Sequence, residues 1–162
     1  MARPRITRIF LSKGHDFKGR HGKDRLHHVV RSVKEVECVA GKGLVGDRFF
    51  GYKEDFKGQL TFIDENVIND VIEKLGDDSL EASAFRRNIV VSGIDLNQLI
   101  GKRFLLDGVE LSGSEECAPC YWMNRALGDG AEGLLKDRGG LRCRILSSGA
   151  LKIGECDLIV LS

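Results

Sequence analysis

"RFLLDGVELSG", Arg103 to Gly113, decides the fold class. Asp107-Gly108 stands between two apolar runs, and that dipeptide is the sequence of a two-residue type I′ hairpin, because glycine takes positive φ without steric cost. The segment therefore predicts two antiparallel strands with a tight turn. Outward from it lie further short β-rich stretches bounded by turn residues: "PRITRIFLS" with Ile6, Ile9 and Leu11, "HHVVRSVKEVECVA", "QLTFI", "NIVVSG" and "LRCRIL". The tail "SGALKIGECDLIVLS" predicts a turn and a closing strand. Twenty glycines against two prolines agree with many tight turns. Seven or more short strands with inserted helices predict a mainly β chain, a β-barrel or strongly curved mixed sheet in one domain over residues 1–162.

Helices are few. "DENVINDVIEKLG" places Val67, Ile68, Val71, Ile72 and Leu75 on one stripe, with Asp64 as N-cap and Gly76 just past the end. "DDSLEASAF", "PCYWMNRALG" and "DGAEGLLKDRGG" predict shorter ones. The N-terminal apolar run is too short for a signal-peptide core or a membrane span, which predicts a cytoplasmic protein. Lys plus Arg number 25 against 24 acidic residues, so bulk charge predicts neither a nucleic-acid partner nor an anionic membrane. Oligomeric state is not legible.

The odd count of five cysteines argues against a disulfide scaffold. Cys38 and Cys156 sit in apolar or alternating runs and read as buried thiols. Cys117 and Cys120 form the pair in "SGSEECAPCYWMNRALG". Pro119 suits the first helical position, which would set Cys120 in a helix's first turn, where free N–H groups and the dipole favour a thiolate. Such a thiolate serves as nucleophile, redox group or soft-metal ligand. A thioredoxin-like role is disfavoured, because the motif follows a hairpin rather than the first strand of a βαβ unit. A structural zinc site needs four ligands, and neither Cys143 with Cys156 nor His27 with His28 completes one at the usual spacing.

Four further stretches carry charge in suggestive places. "GKGLVGDRFFG" is a glycine-rich loop around Asp47-Arg48, without the Gly-Lys-Ser/Thr of a phosphate loop; alone it reads as a turn with a solvated ion pair. "FRRNIVVSGIDL" sets Arg86, Arg87 and Asn88 at the start of a strand, and paired guanidiniums fork onto phosphate or carboxylate. In "KDRGGLRCRIL" alternation puts Arg142 and Arg144 on one strand face, either exposed or lining an anion pocket. "KGHDFKGRHGKDRLHH" holds all four histidines, His15, His21, His27 and His28, and reads as a basic loop.

Taken in order, "EVECVAGKGLVGDRFFG", "TFIDENVINDV", "FRRNIVVSGIDLNQLIGKRF", "LLDGVELSGSEECAPC" and "RGGLRCRILSSGALKIGECDLIVL" resemble a MOSC domain, the module named for the C-terminal part of molybdenum cofactor sulfurase. The resemblance runs from about Val29 to Leu161. It implies a β-barrel-like fold with a few short helices and a molybdopterin-type molybdenum cofactor. The metal-ligating cysteine of relatives matches Cys120, and arginines that hold the pterin and phosphate match Arg48 and Arg86. Asn88 matches a family asparagine, while Arg87 stands where some relatives have proline. Relatives of this kind reduce N-hydroxylated compounds to amines or amidines, by oxygen-atom transfer to a metal reduced by a partner. No ferredoxin-like cysteine cluster or nucleotide-binding loop is visible, so the resemblance implies a separate electron-donor reductase. The alternative it leaves open is a cofactor or sulfur carrier holding a persulfide on Cys120. The pyridoxal-phosphate domain of desulfurases is not in this sequence, and the Lys13–His28 loop lacks the Lys-Ser pair that some relatives set against the cofactor.

Overall fold

The computed structural model describes residues 3–13 and 30–162. The histidines and most of the basic N-terminal loop lie outside the described residues. Among the described residues there are twelve strands: β1 (Arg5–Ser12), β2 (Val30–Val33), β3 (Glu35–Val39), β4 (Gly43–Leu44), β5 (Leu60–Asp64), β6 (Ile89–Ser92), β7 (Arg103–Leu106), β8 (Val109–Glu116), β9 (Leu141–Ile145), β10 (Gly149–Lys152), β11 (Gly154–Glu155) and β12 (Leu158–Val160). Three helices, α1 (Glu65–Leu75), α2 (Tyr121–Leu127) and α3 (Ala131–Leu134), and two 3₁₀ turns, Ala82–Phe85 and Leu96–Leu99, are set between them.

The hairpin is where the sequence puts it. Asp107 and Gly108 have φ of 48° and 81°, and Leu106 faces Val109 across the turn. From β7 the large sheet runs β12-β7-β8-β9-β5-β6-β1, and β11 and β2 pair with successive halves of the outer edge of β1. A smaller sheet has the order β10-β3-β4. The mainly β class is as expected, but the large sheet is open: its path ends at β12 on one side and at β2 and β11 on the other. The expected barrel is therefore a curved sheet with two free ends.

Both faces of the large sheet are covered, which is why its central strands read as unbroken apolar runs. Phe62, Ile89, Val91, Ile9 and Leu11 join Val36, Cys38, Leu44 and Leu151 of the small sheet in one buried core. The intervening Ile63, Val90 and Phe10 point the other way, into a second core with Ile68 and Val71 of α1 and Met123 and Leu127 of α2. Full burial of such a side chain contributes about 2 kcal/mol. A register shift against β6 between Ile6 and Arg8 explains how Ile6 and Ile9, three apart, face the same core.

Helix α1 matches its sequence signals. The Asp64 carboxylate accepts the Asn66 N–H at 2.8 Å, and Gly76 closes the helix in the left-handed region at φ 68°. The valine-rich run after His28 divides at Lys34, whose carbonyl accepts the Ile153 N–H, so β2 stays with the large sheet while β3 joins the small one. The tail gives three short strands rather than one: the chain breaks from β10 at Ile153, and Gly154 opens β11 at φ 131°. No described helix is long and apolar enough to cross a membrane.

Candidate functional site

The Gly-Asp-Arg loop is fastened to the end of β1 by reciprocal bonds. Ser12 N–H donates to Asp47 Oδ1 at 3.1 Å, and Arg48 N–H donates back to the Ser12 carbonyl at 2.7 Å. The second carboxylate oxygen of Asp47 accepts the Phe49 N–H at 3.3 Å. Asp47 is buried, so it is the anchor of this loop and not half of a solvated ion pair as the sequence suggests. The Arg48 guanidinium lies over the Phe49 ring, 4.8 Å from its centroid.

Arg86 arrives at the same place from another element. It ends the 3₁₀ turn Ala82–Phe85 at φ 62°, a left-handed conformation that costs a non-glycine residue about 1 kcal/mol. Its Nη2 donates to Ser12 Oγ at 3.2 Å, and its carbonyl accepts Arg48 Nη2 at 3.5 Å. Arg48 and Arg86, both half-buried, are therefore tied to Ser12 and to each other's segments, and they line a small cleft together with Phe10 and Val30. Guanidiniums lining one cleft are a chemistry that suits a phosphate or carboxylate.

The next two residues are committed differently. Asn88 is buried and bonded through both ends of its amide: its Oδ1 accepts from the Thr61 N–H and hydroxyl, its Nδ2 donates to the Phe10 carbonyl at 3.1 Å, and its own N–H donates to Thr61 Oγ1. Arg87 spreads its guanidinium over three carbonyls, those of Gly139 at 2.9 Å, Cys117 at 3.1 Å and Phe85 at 3.2 Å. These two side chains build the floor of the site.

Cys120 stands at the N-cap of α2, not in its first turn. Its φ of −137° and ψ of 175° are extended, its carbonyl accepts the Met123 N–H at 2.9 Å, and Pro119 lies one place before the cap. Pro119 therefore precedes the helix instead of opening it. α2 packs on the 3₁₀ turn that delivers Arg86, so the cysteine loop and the arginine junction belong to one region. Cys120 is the exposed thiol of the five; Cys117 behind it is buried.

The other three thiols are inert by burial. Desolvation, with help from Glu37, pushes Cys38 up to about 12. Burial first, then Asp107 and Asp157, lifts Cys156 to about 11. Burial and then neighbouring Cys117 hold Cys143 well above the ordinary value of 9.0. Raised folded-state values stabilise fully below pH 9.0 and stop doing so as pH climbs through about 11 to 12, since the unfolded thiols ionise first. The stability difference between the native chain and Cys38→Ala is accordingly expected to shrink between pH 9 and 11 in thermal melts. A pH-independent difference would contradict the assignment.

Arg142 and Arg144 do share a strand face, but it is no anion pocket. Arg142 pairs with Glu115 at 3.1 Å, which Lys57 also contacts at 3.0 Å, and Arg144 pairs with Asp55 at 2.9 Å. Among the described residues no group of three or more His, Cys, Asp or Glu is placed to hold a metal ion. Sequence reasoning missed Ser12, the hub between Arg48 and Arg86, because a serine ending a strand carries no signal. It also missed Gly139, where a Cβ would collide with the Cys117 carbonyl.

A family model described as MOSC domain matches residues 20–156. No curated protein matches. Similar solved structures include the YuaD protein from Bacillus subtilis, 18% identical with a TM-score of 0.78 over 99% of this chain and 97% of that one. YiiM from Geobacillus stearothermophilus is 16% identical with a TM-score of 0.70, over 98% of this chain and 75% of its own. YiiM from Escherichia coli is 17% identical with a TM-score of 0.65, over 98% and 70%. At these identities the likeness is one of fold.

Proposed function

The chain belongs to the MOSC domain family, and we propose that it is a cytoplasmic enzyme that binds a molybdopterin-type molybdenum cofactor and reduces small N-hydroxylated compounds with electrons from a separate reductase. The observation that carries this reading is the packing of α2, which the exposed Cys120 caps, on the 3₁₀ turn that leads into Arg86 and its bonds to Ser12 and Arg48. One thiol is too small a donor set for a free ion, but it suits a metal that arrives already held by its own organic ligand. The fit is chemical on both sides: a soft sulfur donor for molybdenum, and two guanidiniums for an anionic phosphate.

In this reading Cys120 is the protein's ligand to the metal, and its extended N-cap backbone holds the sulfur outside the helix. Arg48 and Arg86 hold the phosphate end, kept in place by Asp47, Ser12 and the 3₁₀ turn. Asn88 and Arg87 support that frame from beneath through bonds to the main chain. The bound cofactor supplies the redox chemistry: the substrate N–O bond breaks, two electrons and two protons are taken up, and the oxygen leaves as water. The protein orients that group and shapes the cavity beside it.

A persulfide carrier would use Cys120 as well, but it has no need of paired guanidiniums. Molybdenum content separates the two readings. Protein purified from a cofactor-producing host should contain molybdenum near one atom per chain. Arg48→Ala/Arg86→Ala should lower that content by at least about 10-fold while leaving Cys120 reactive, since each charge-assisted contact contributes ~1.5–3 kcal/mol. Full molybdenum in the double variant would remove the phosphate role from these arginines. A metal-free native protein carrying a persulfide on Cys120 would put the carrier reading first.

A further inference from the structure

We infer that Arg87 is the positioning residue of the cysteine loop: its guanidinium fixes where residues 117–120 present the Cys120 thiol. The placement of the thiol toward a cofactor rests on the function proposed above; the clamp itself does not.

Three observations converge on it. Arg87 leads into β6, yet its side chain reaches across to the junction of β8 and β9, donating to Gly139 and Cys117 carbonyls from Nε and Nη2. A third bond from Nη1 to the Phe85 carbonyl ties the guanidinium to the end of the turn that carries Arg86. Those carbonyls belong to segments that are already close. Cys117 N–H donates to the Gly140 carbonyl at 2.8 Å, Gly139 N–H donates to Glu116 Oε2 at 3.2 Å, and a Cβ on Gly139 would meet Pro119 Cδ at 3.2 Å. The Gly139 position is thus reserved for the passage of the cysteine loop.

The chemistry of the side chain decides between packing and positioning. Only a planar guanidinium offers donors in a fixed fork that can serve three carbonyls at once; a lysine ammonium has three donors on one atom and cannot span them. Among the described residues no strand pairs with the loop between Cys117 and α2, so the Cys117 carbonyl is the hydrogen-bonded anchor that precedes Cys120. Through this one side chain the same backbone junction sets both Arg86 and Cys120.

Thiol labelling of the full-length chain with a disulfide reagent tests this, with modified cysteines identified by peptide mass. In metal-free samples the native protein should show one fast thiol, absent in Cys120→Ala; where molybdenum is bound, Cys120 should be protected and only Cys117 is read. Arg87→Met should add a second fast thiol, Cys117, labelled at least about 10-fold faster than in the native protein, while Cys38, Cys143 and Cys156 stay protected. Arg87→Lys should fall between the two. Unchanged Cys117 labelling in both variants would overturn the clamp. So would simultaneous exposure of all the buried thiols, which would assign Arg87 to global stability. Molybdenum content read on the same samples separates the two ideas. A metal-free native protein with the expected labelling keeps the clamp and removes the cofactor reading; loaded variants with native labelling do the opposite.

Discussion

Cys120→Ala is expected to abolish molybdenum retention and to lower amidoxime reduction by at least about 100-fold, while Cys117→Ala keeps both. Loss of a contact that merely orients a metal ligand costs about 10- to 100-fold, so loss of the protein's own ligand should exceed that range. The asymmetry follows from placement. Cys117 is buried behind the loop, with its carbonyl taken by Arg87 and its N–H by Gly140, and its truncation removes a small packed group. Cys120 is exposed at the N-cap of α2. Cys120→Ser sharpens the test, since a hydroxyl of similar size keeps the cap geometry but is a hard, weakly acidic donor. The assay needs only a chemical reductant and an amidoxime, with metal content measured on the same samples. Equal losses in Cys117→Ala and Cys120→Ala, with zinc in the native protein, would show the pair to be structural. Full activity in Cys120→Ala would end the proposal.

What the sequence disclosed about this site depended on range. Local chemistry was legible: the Asp107-Gly108 turn, the caps of α1 and the alternation that puts Arg142 and Arg144 on one face all follow from φ preferences and side-chain period. Features set by tertiary contact were not. Pro119 satisfies the local rule for opening a helix, yet the cysteine loop is held to Gly139 and Arg87, and the chain turns helical only after Cys120. Asp47 beside Arg48 looks like an ion pair on paper, and only the return of β1 shows that it caps Ser12. The proposed site was suggested by the order of motifs along the chain, because no single stretch holds both Cys120 and Arg86. What links their neighbourhoods is α2 packing on the 3₁₀ turn, about thirty-five residues away in sequence.

Asn88 carries the second large effect, and its sign separates a structural role from a ligand role. Asn88→Ala leaves Thr61 N–H without its buried acceptor and the Phe10 carbonyl without its donor, and opens a void where β1, β5 and β6 meet. Each such group costs about 1–3 kcal/mol, so the expected loss is about 3 to 5 kcal/mol, or roughly 10 °C in melting midpoint. Asn88→Asp has nearly the same shape and keeps the oxygen that Thr61 needs, but it sets a second oxygen against the Phe10 carbonyl. The ionised form is therefore penalised in the fold, which raises the folded-state pKa of the new carboxyl above its unfolded value of about 3.9. A raised value means stability that is complete below the unfolded pKa and is lost as pH rises. The aspartate variant should thus be far below the native protein at pH 7 and recover toward it near pH 4.5, where a protonated carboxyl can donate to Phe10. Asn88→Ala should show no such recovery. A side chain whose business is to hold a cofactor would leave the melting midpoint of metal-free protein nearly unchanged in both variants; that result would return Asn88 to the binding residues and leave the junction of the three strands to be held by Thr61 alone.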